Sequence, residues 1–378
     1  MRQINILTVI VLVSALGLVA CDSWSATTSV VPTPISVTPT ATPQPTPTQT
    51  PTVAPNPTPP TMPVTPLPFS RAPELVWLPY SYGISSEFPN VLSVRDGIPA
   101  YELSPVPIAR FWDYGRWSGR LAFSAQRDLW VYDYTTSKVE MWFPDSVNGA
   151  AWSPVPDPDT GKELLAVAIF NPNYRECSNC YFDIEVLSGP DQLIGIIPKA
   201  SPHFAWSPEG QWIAFFRWPS PEGDEGVYIA QARRGRPTKI APLNWVDSIY
   251  DRPIWAWEHG AIFYPSGGIH VALIDGSDSF PLLMPDSKPV FVEAQYDMLW
   301  SPQRRLLILA GEGGMETPPQ VVAYELSEDL HTVVDTYIIG EDTTLVGWLV
   351  PDETIILTHH GQIVIWSLEN RGPVASNQ

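Results

Sequence analysis

The sequence predicts an all-β fold on three observations. A short unit, Trp-Ser-Pro followed by a turn and an apolar run, recurs along the chain. No long stretch shows 3.6-residue apolar periodicity free of Gly and Pro. Short runs rich in Val, Ile, Leu and aromatic residues alternate with polar or Gly-containing turns.

The clearest copy of the unit is Trp206-Ser207-Pro208-Glu209-Gly210-Gln211-Trp212-Ile213-Ala214-Phe215. One strand ends at Trp206 and the next begins at Ile213. Between them Pro presets φ for the turn and Gly tolerates positive φ. Fair copies stand at Trp152-Ser153-Pro154 and Trp300-Ser301-Pro302, and looser ones at Trp117, Trp257 and Trp348. A second β run follows each turn, such as Leu129-Trp130-Val131-Tyr132 or Ile363-Val364-Ile365-Trp366. The six tryptophans lie about 35 to 55 residues apart, the period of four-stranded propeller blades. The spacing therefore predicts a six-bladed β-propeller, with each repeat Trp buried between blades. The 16 Trp and 14 Tyr suit the tapered gaps of such a ring. Residues 74–103 precede the first clear Trp. They are expected to donate the missing outer strand of the last blade, or alternatively to build a seventh, irregular blade. Trp-Ser-Pro-x-Gly-x-x-Ile-Ala-Phe resembles the repeat of the TolB-like β-propellers, related in shape to WD-repeat propellers. The resemblance covers about residues 71–378.

The chain begins with a short basic head, and Ile4 to Ala20 is almost wholly apolar. Leu18-Val19-Ala20-Cys21 resembles the lipobox of bacterial lipoproteins. The expectation is a signal peptide over residues 1–20 and a lipid-bearing Cys21 at the new N-terminus. The mature protein would then be extracytoplasmic and lipid-anchored to the bacterial cell membrane. Ser23 to Ser70 holds no Asp, Glu, Lys or Arg and is dominated by Thr-Pro pairs. Too few large apolar groups are present to form a core, so residues 21–70 read as a disordered linker. In polyproline II geometry it would reach about 150 Å.

A net charge of −19 argues against nucleic acid as a partner, which needs a basic footprint. Cys177 and Cys180 sit on a loop between two β runs. Thioredoxin-like chemistry would need a helix to follow, and zinc would need a second ligand pair. A local disulfide is the default in an exported chain. Arg233-Arg234-Gly235-Arg236 reads as a solvated turn and Asp157 to Glu163 as an enlarged turn. His359-His360 reads as a surface pair. No nucleophile elbow, H-E-x-x-H, S-x-x-K or P-loop occurs, and no metal or cofactor is expected.

Two function classes follow. One is a non-catalytic recognition or scaffold module for a protein or polar ligand. The other is a hydrolase, lyase or lactonase with its active site in the central funnel, and the missing nucleophile–base set favours the first. Reading back about three to six residues from each repeat Trp gives Asp113, Asn148, His203, Asp251, Arg252, Asp297 and Asp342. These are the candidate binding residues at one mouth of the channel.

Overall fold

The computed structural model describes residues 72–78, 88–125, 128–144, 147–174, 182–218, 224–243, 252–290, 296–311 and 319–374. They form seven antiparallel sheets, each a meander with its strands in sequence order. Blade 1 holds β1 (Leu75–Trp77), β2 (Asn90–Arg95) and β3 (Ile98–Leu103). Blade 2 holds β4 (Arg110–Gly115), β5 (Arg120–Ala125), β6 (Asp128–Asp133) and β7 (Lys138–Phe143). Blade 3 holds β8 (Val147–Trp152), β9 (Leu165–Phe170), β10 (Phe182–Leu187) and β11 (Leu193–Ala200). Blade 4 holds β12 (Phe204–Trp206), β13 (Trp212–Arg217), β14 (Gly226–Gln231) and β15 (Pro237–Ala241). Blade 5 holds β16 (Ile254–Ala256), β17 (Ala261–Pro265), β18 (Ile269–Leu273) and β19 (Ser279–Pro281). Blade 6 holds β20 (Tyr296–Ser301), β21 (Leu306–Gly311), β22 (Gln320–Leu326) and β23 (Val333–Glu341). Blade 7 holds β24 (Thr343–Val350), β25 (Thr354–His359), β26 (Gln362–Ser367) and β27 (Gly372–Pro373).

The expected six blades are therefore seven. Residues 74–103 do not complete the last blade. They make a sheet of their own, and the last blade gains its fourth strand from Gly372–Pro373, paired with Trp366 and Ser367. The cause is a tight hairpin: Asp96 and Gly97 both take positive φ (51° and 72°), the two-residue turn whose twist matches paired strands. This turn locks Arg95 opposite Ile98, and Arg95 forms a bidentate ion pair with Glu102 at 2.9 and 3.1 Å. Among the described residues blade 1 has three strands, and Ser104–Ala109 connects the last of them to β4. That segment buries Val106 and Ile108 between blades 1 and 2.

Seven apolar clusters separate the seven blades. The last packs Leu92 and Val94 of blade 1 against Ile356 of blade 7, with Trp77, Val346 and Leu349 around them. The ring thus closes by side-chain packing of whole blades, and strand exchange between blades 1 and 7 is absent among the described residues.

The repeat position is also corrected in two blades. Trp206 pairs with Ile213, and its Nε1–H donates to the Ala151 carbonyl of the preceding blade at 2.9 Å. Trp255 repeats this arrangement, pairing with Ile262 and donating to the Ala205 carbonyl at 3.0 Å. Trp257, expected there, lies one turn on in a 3-10 segment and packs edge-on against Trp255. In blade 2 the position belongs to Tyr114, whose hydroxyl donates to the Pro73 carbonyl of blade 1. Trp117 is instead 65% exposed on the turn.

The turns after the inner strands lock neighbouring blades together. Glu163 of blade 3 accepts from the Ser118 amide and hydroxyl at 3.1 and 2.5 Å. Ser301 donates to Asp352 of blade 7 at 2.5 Å. Arg233 pairs with Asp157 across blades 4 and 3. This ion pair replaces the purely solvated turn expected for the basic cluster. Asp157 also accepts the Thr160 amide at 2.9 Å, so its segment is the enlarged turn the sequence indicates.

Candidate functional site

Each four-stranded meander returns the chain to the rim where it began. The inner strands of blades 2 to 7 therefore start at one mouth of the channel. Arg110 opens β4, Asn148 lies second in β8, His203 precedes β12, and Arg252 stands two residues before β16. Asp297 lies second in β20, and Asp342 precedes β24. Of the sequence candidates, Asn148, His203, Arg252, Asp297 and Asp342 thus stand at or just before the starts of inner strands. Asp251, like Cys21, Cys177 and Cys180, lies outside the described residues.

The rim is not uniform. In β4 the register slips between Phe111 and Asp113, and in β8 between Val147 and Gly149. Trp112 and Asn148 are the extra residues, and bulges of this kind re-aim neighbouring side chains. Asp113 is turned into the wall. One carboxylate oxygen accepts the Trp152 amide of blade 3 at 2.8 Å, and the other accepts the Tyr114 amide at 2.8 Å. Burial pushes this carboxyl up to about 6 against those amides and the Arg252 charge, and Glu163 adds repulsion. Protein–protein bonds thus already engage both oxygens.

His203 is half-buried. Burial, with the charges of Arg110 and Arg252 added, pushes its imidazole down to about 4, so it is neutral at pH 7. Its loop is held from both sides. Ser201 Oγ donates to the His203 carbonyl at 2.7 Å. A Cβ at Gly149 would lie 2.2 Å from the Pro202 carbonyl oxygen, so only glycine admits this contact. Arg110 is exposed, with its guanidinium carbon 4.1 Å above the Trp112 ring. Arg252 is exposed as well. Among the described residues, no ion pair or hydrogen bond reaches its guanidinium. The charge of Arg252 is felt by both Asp113 and His203, and that of Arg110 by His203, so blades 2, 4 and 5 are linked electrostatically at this rim.

Asp297 and Asp342 are exposed on the opposite arc, in blades 6 and 7. Asp342 takes φ 51°, and its carbonyl lies 3.2 Å from His359 Nδ1. The rings of His359 and His360 stand 4.2 Å apart. No set of three metal-ligating side chains converges among the described residues. A groove of about 410 Å³ lies away from the mouth, at the outer seam of blades 5 and 6. Met284, Pro289, Val290 and Tyr324 are among its lining.

Arg110 and Trp112 were missed from sequence. Counting back from Trp117 places the window three residues too late. Counting back from Tyr114, the true repeat position, brings Arg110 into it.

No family model matches the sequence, and a search of curated proteins finds no relative. Solved structures share the propeller shape. The WD40 domain of Toxoplasma gondii coronin is 14% identical, with 74% of this chain and 74% of that one covered and a TM-score of 0.46. TolB from Acinetobacter baumannii is 14% identical over 76% of this chain and 75% of that one, with a TM-score of 0.40. Sqt1 from Chaetomium thermophilum, solved with the N-terminus of a ribosomal protein, is 14% identical over 76% and 79%, with a TM-score of 0.44. At this distance the likenesses say nothing of activity or partners. The chain is a seven-bladed β-propeller on the strength of its own sheets.

Proposed function

We propose that this chain is a non-catalytic recognition module, displayed outside the bacterial cell membrane and binding a protein or polar ligand at the channel mouth. Residues 1–20 serve as the signal peptide, Cys21 carries the lipid, and residues 21–70 form the spacer that lifts the propeller. Cys177 and Cys180 close a local disulfide. The observation that carries the recognition reading is the division of labour at the rim. Asp113, the most enclosed carboxylate there, is committed to the wall by two backbone amides. Arg252, by contrast, is exposed beside the channel. A hydrolase would need an activated nucleophile or water held at a matched base. Asp113 with both oxygens engaged supplies neither in this geometry.

The test is capture of partners from native membranes with the full chain. Arg252→Gln combined with Asn148→Ala should abolish the specific capture, and Ile338→Glu, on the exposed outer strand of blade 6, should leave it intact. Loss with Ile338→Glu and retention with the mouth variant would reject the proposal.

A further inference from the structure

A second site lies apart from the channel mouth, in the groove of about 410 Å³ at the seam of blades 5 and 6. We infer that this groove takes an extended proline-rich segment, supplied by the Thr/Pro tract at residues 23–70 of a second copy of this chain. Its occupant is independent of whatever binds the mouth.

The groove is built on a braced turn. The Met284 amide donates to the Lys288 carbonyl at 2.7 Å, and Ser287, at φ 65°, donates to the Met284 carbonyl at 2.9 Å. Leu283 bridges both Pro289 and Thr332 of blade 6, which ties the turn across the seam. Tyr324 of β22 completes the lining with a half-buried ring. Met284, Pro285, Pro289 and Val290 with this ring make an apolar surface, the kind on which proline side chains pack.

The hydrogen-bonding groups of this wall narrow the choice of ligand. The Met284 and Val290 amides are spent on the Lys288 and Leu282 carbonyls, and Pro285 and Pro289 have none. The Val290 carbonyl accepts from Ile269 at 2.9 Å. Strand addition needs an open edge, and this turn does not offer one. The Lys288 ammonium and the Asp286 carboxylate hold each other at 2.6 Å. The Tyr324 hydroxyl, by contrast, has no hydrogen-bond partner among the described residues, and burial keeps it protonated as a donor. A segment rich in N–H groups would leave them unpaired against such a wall. A proline-rich segment brings few N–H groups and open carbonyls, one of which accepts from Tyr324. Its polyproline II backbone is preformed, which lowers the ordering cost of binding.

The chain itself carries a segment of this chemistry. Thr42-Pro43-Gln44-Pro45-Thr46-Pro47 lies in a tract without Asp, Glu, Lys or Arg. An uncharged tract escapes the repulsion that an acidic segment meets from a protein of net charge −19. Residues 1–71 precede the described chain and lead into blade 1. Blade 7 stands between blade 1 and blade 6. The groove is therefore not beside the chain's own entry point, and it stands open to the tract of a neighbouring copy.

The test mixes two preparations of the full chain. One is isotope-labelled and carries a photo-crosslinking amino acid in place of Pro285, and the other is unlabelled. Mass spectrometry of the adducts reads which copies and which residues are joined, with melting temperature as the folding control. The expected adduct joins position 285 of the labelled copy to residues 23–70 of the unlabelled one. An acetylated, amidated peptide of residues 42–51 should compete it away. Tyr324→Phe removes one hydrogen bond and should cut the adduct about fivefold below saturation. Met284→Lys, which puts a charge into the apolar lining, should abolish it. Adducts formed only within the labelled chain would overturn the second copy as the source. No adduct, an adduct to another part of the propeller, or one that ignores Tyr324→Phe or Met284→Lys would overturn the proline-rich site.

Discussion

Trp206 and Trp255 should be the most costly of the tryptophans to remove, and Trp117 and Trp257 should be cheap. Trp206 is 8% exposed and packs with Phe204, Ile213, Phe215 and Tyr228 against Ile184 and Ile197 of blade 3. Truncating such a ring costs about 3 to 5 kcal/mol in lost contacts and residual cavity. Its Nε1–H also ties blade 4 to the Ala151 carbonyl, a bond worth about 1 kcal/mol. Trp206→Phe keeps most of the packing and loses the bond, so it should cost about 1 to 2 kcal/mol. Trp255→Ala should match Trp206→Ala, since it is 6% exposed and makes the same bond one blade on. Trp257 only packs edge-on against Trp255 at 5.5 Å, and its removal should cost about 1 kcal/mol. Trp117→Ala loses a bond to the Pro154 carbonyl at the surface and should cost about 1 kcal/mol or less. Urea midpoints for the variants, followed by circular dichroism, measure the order. A Trp257→Ala midpoint as low as that of Trp206→Ala, with a mild Trp255→Ala, would refute the corrected register.

Four further outcomes are expected. Asp113 has its pKa raised to about 6, so its contribution is fullest below pH 4 and is lost as pH rises through 6. Relative to Asp113→Asn, the parent should lose up to about 3 kcal/mol between pH 4 and pH 7. His203, pushed down to about 4, gives the reverse slope: its contribution is full above pH 6.5 and is lost as pH falls. Relative to His203→Gln, the parent should therefore gain stability from pH 4 to pH 7, and urea titrations at several pH values read both slopes. Equal or inverted slopes would contradict the placement of these groups. Gly149→Ala should cost about 1 to 3 kcal/mol by forcing the Pro202 carbonyl away, seen as a lower melting temperature and a shifted His203 resonance. Cys21→Ser should leave residues 1–20 attached and the lipid absent, and mass spectrometry of the membrane fraction reads both.

The blades built on Trp-Ser-Pro were legible because the turn chemistry and the apolar strand after it sit together in sequence. Blade 1 was not, since it lacks that unit; its available signal was Asp96-Gly97 between Val94 and Ile98, a two-residue hairpin turn. The misplacement at Trp257 has a different cause. Two tryptophans two residues apart fit the same loose pattern, and only the bond to Ala205 separates them. Candidates near the starts of the inner strands could be named by counting, because successive inner strands share one direction. Their roles could not, because the bulge at Trp112 decides whether Asp113 faces the ligand or the wall, and no residue pattern announces a bulge. Arg110 became visible only when Tyr114 took the place of Trp117.

The central claim is that partners meet this propeller at the channel mouth. A photo-crosslinking amino acid placed at Asp297, on the rim but outside the Arg110–Arg252 cluster, tests it in native membranes. The account predicts a discrete adduct from position 297, lost on adding Arg252→Gln, and none from position 338 on the outer edge. An adduct from 338 with none from 297 would contradict it.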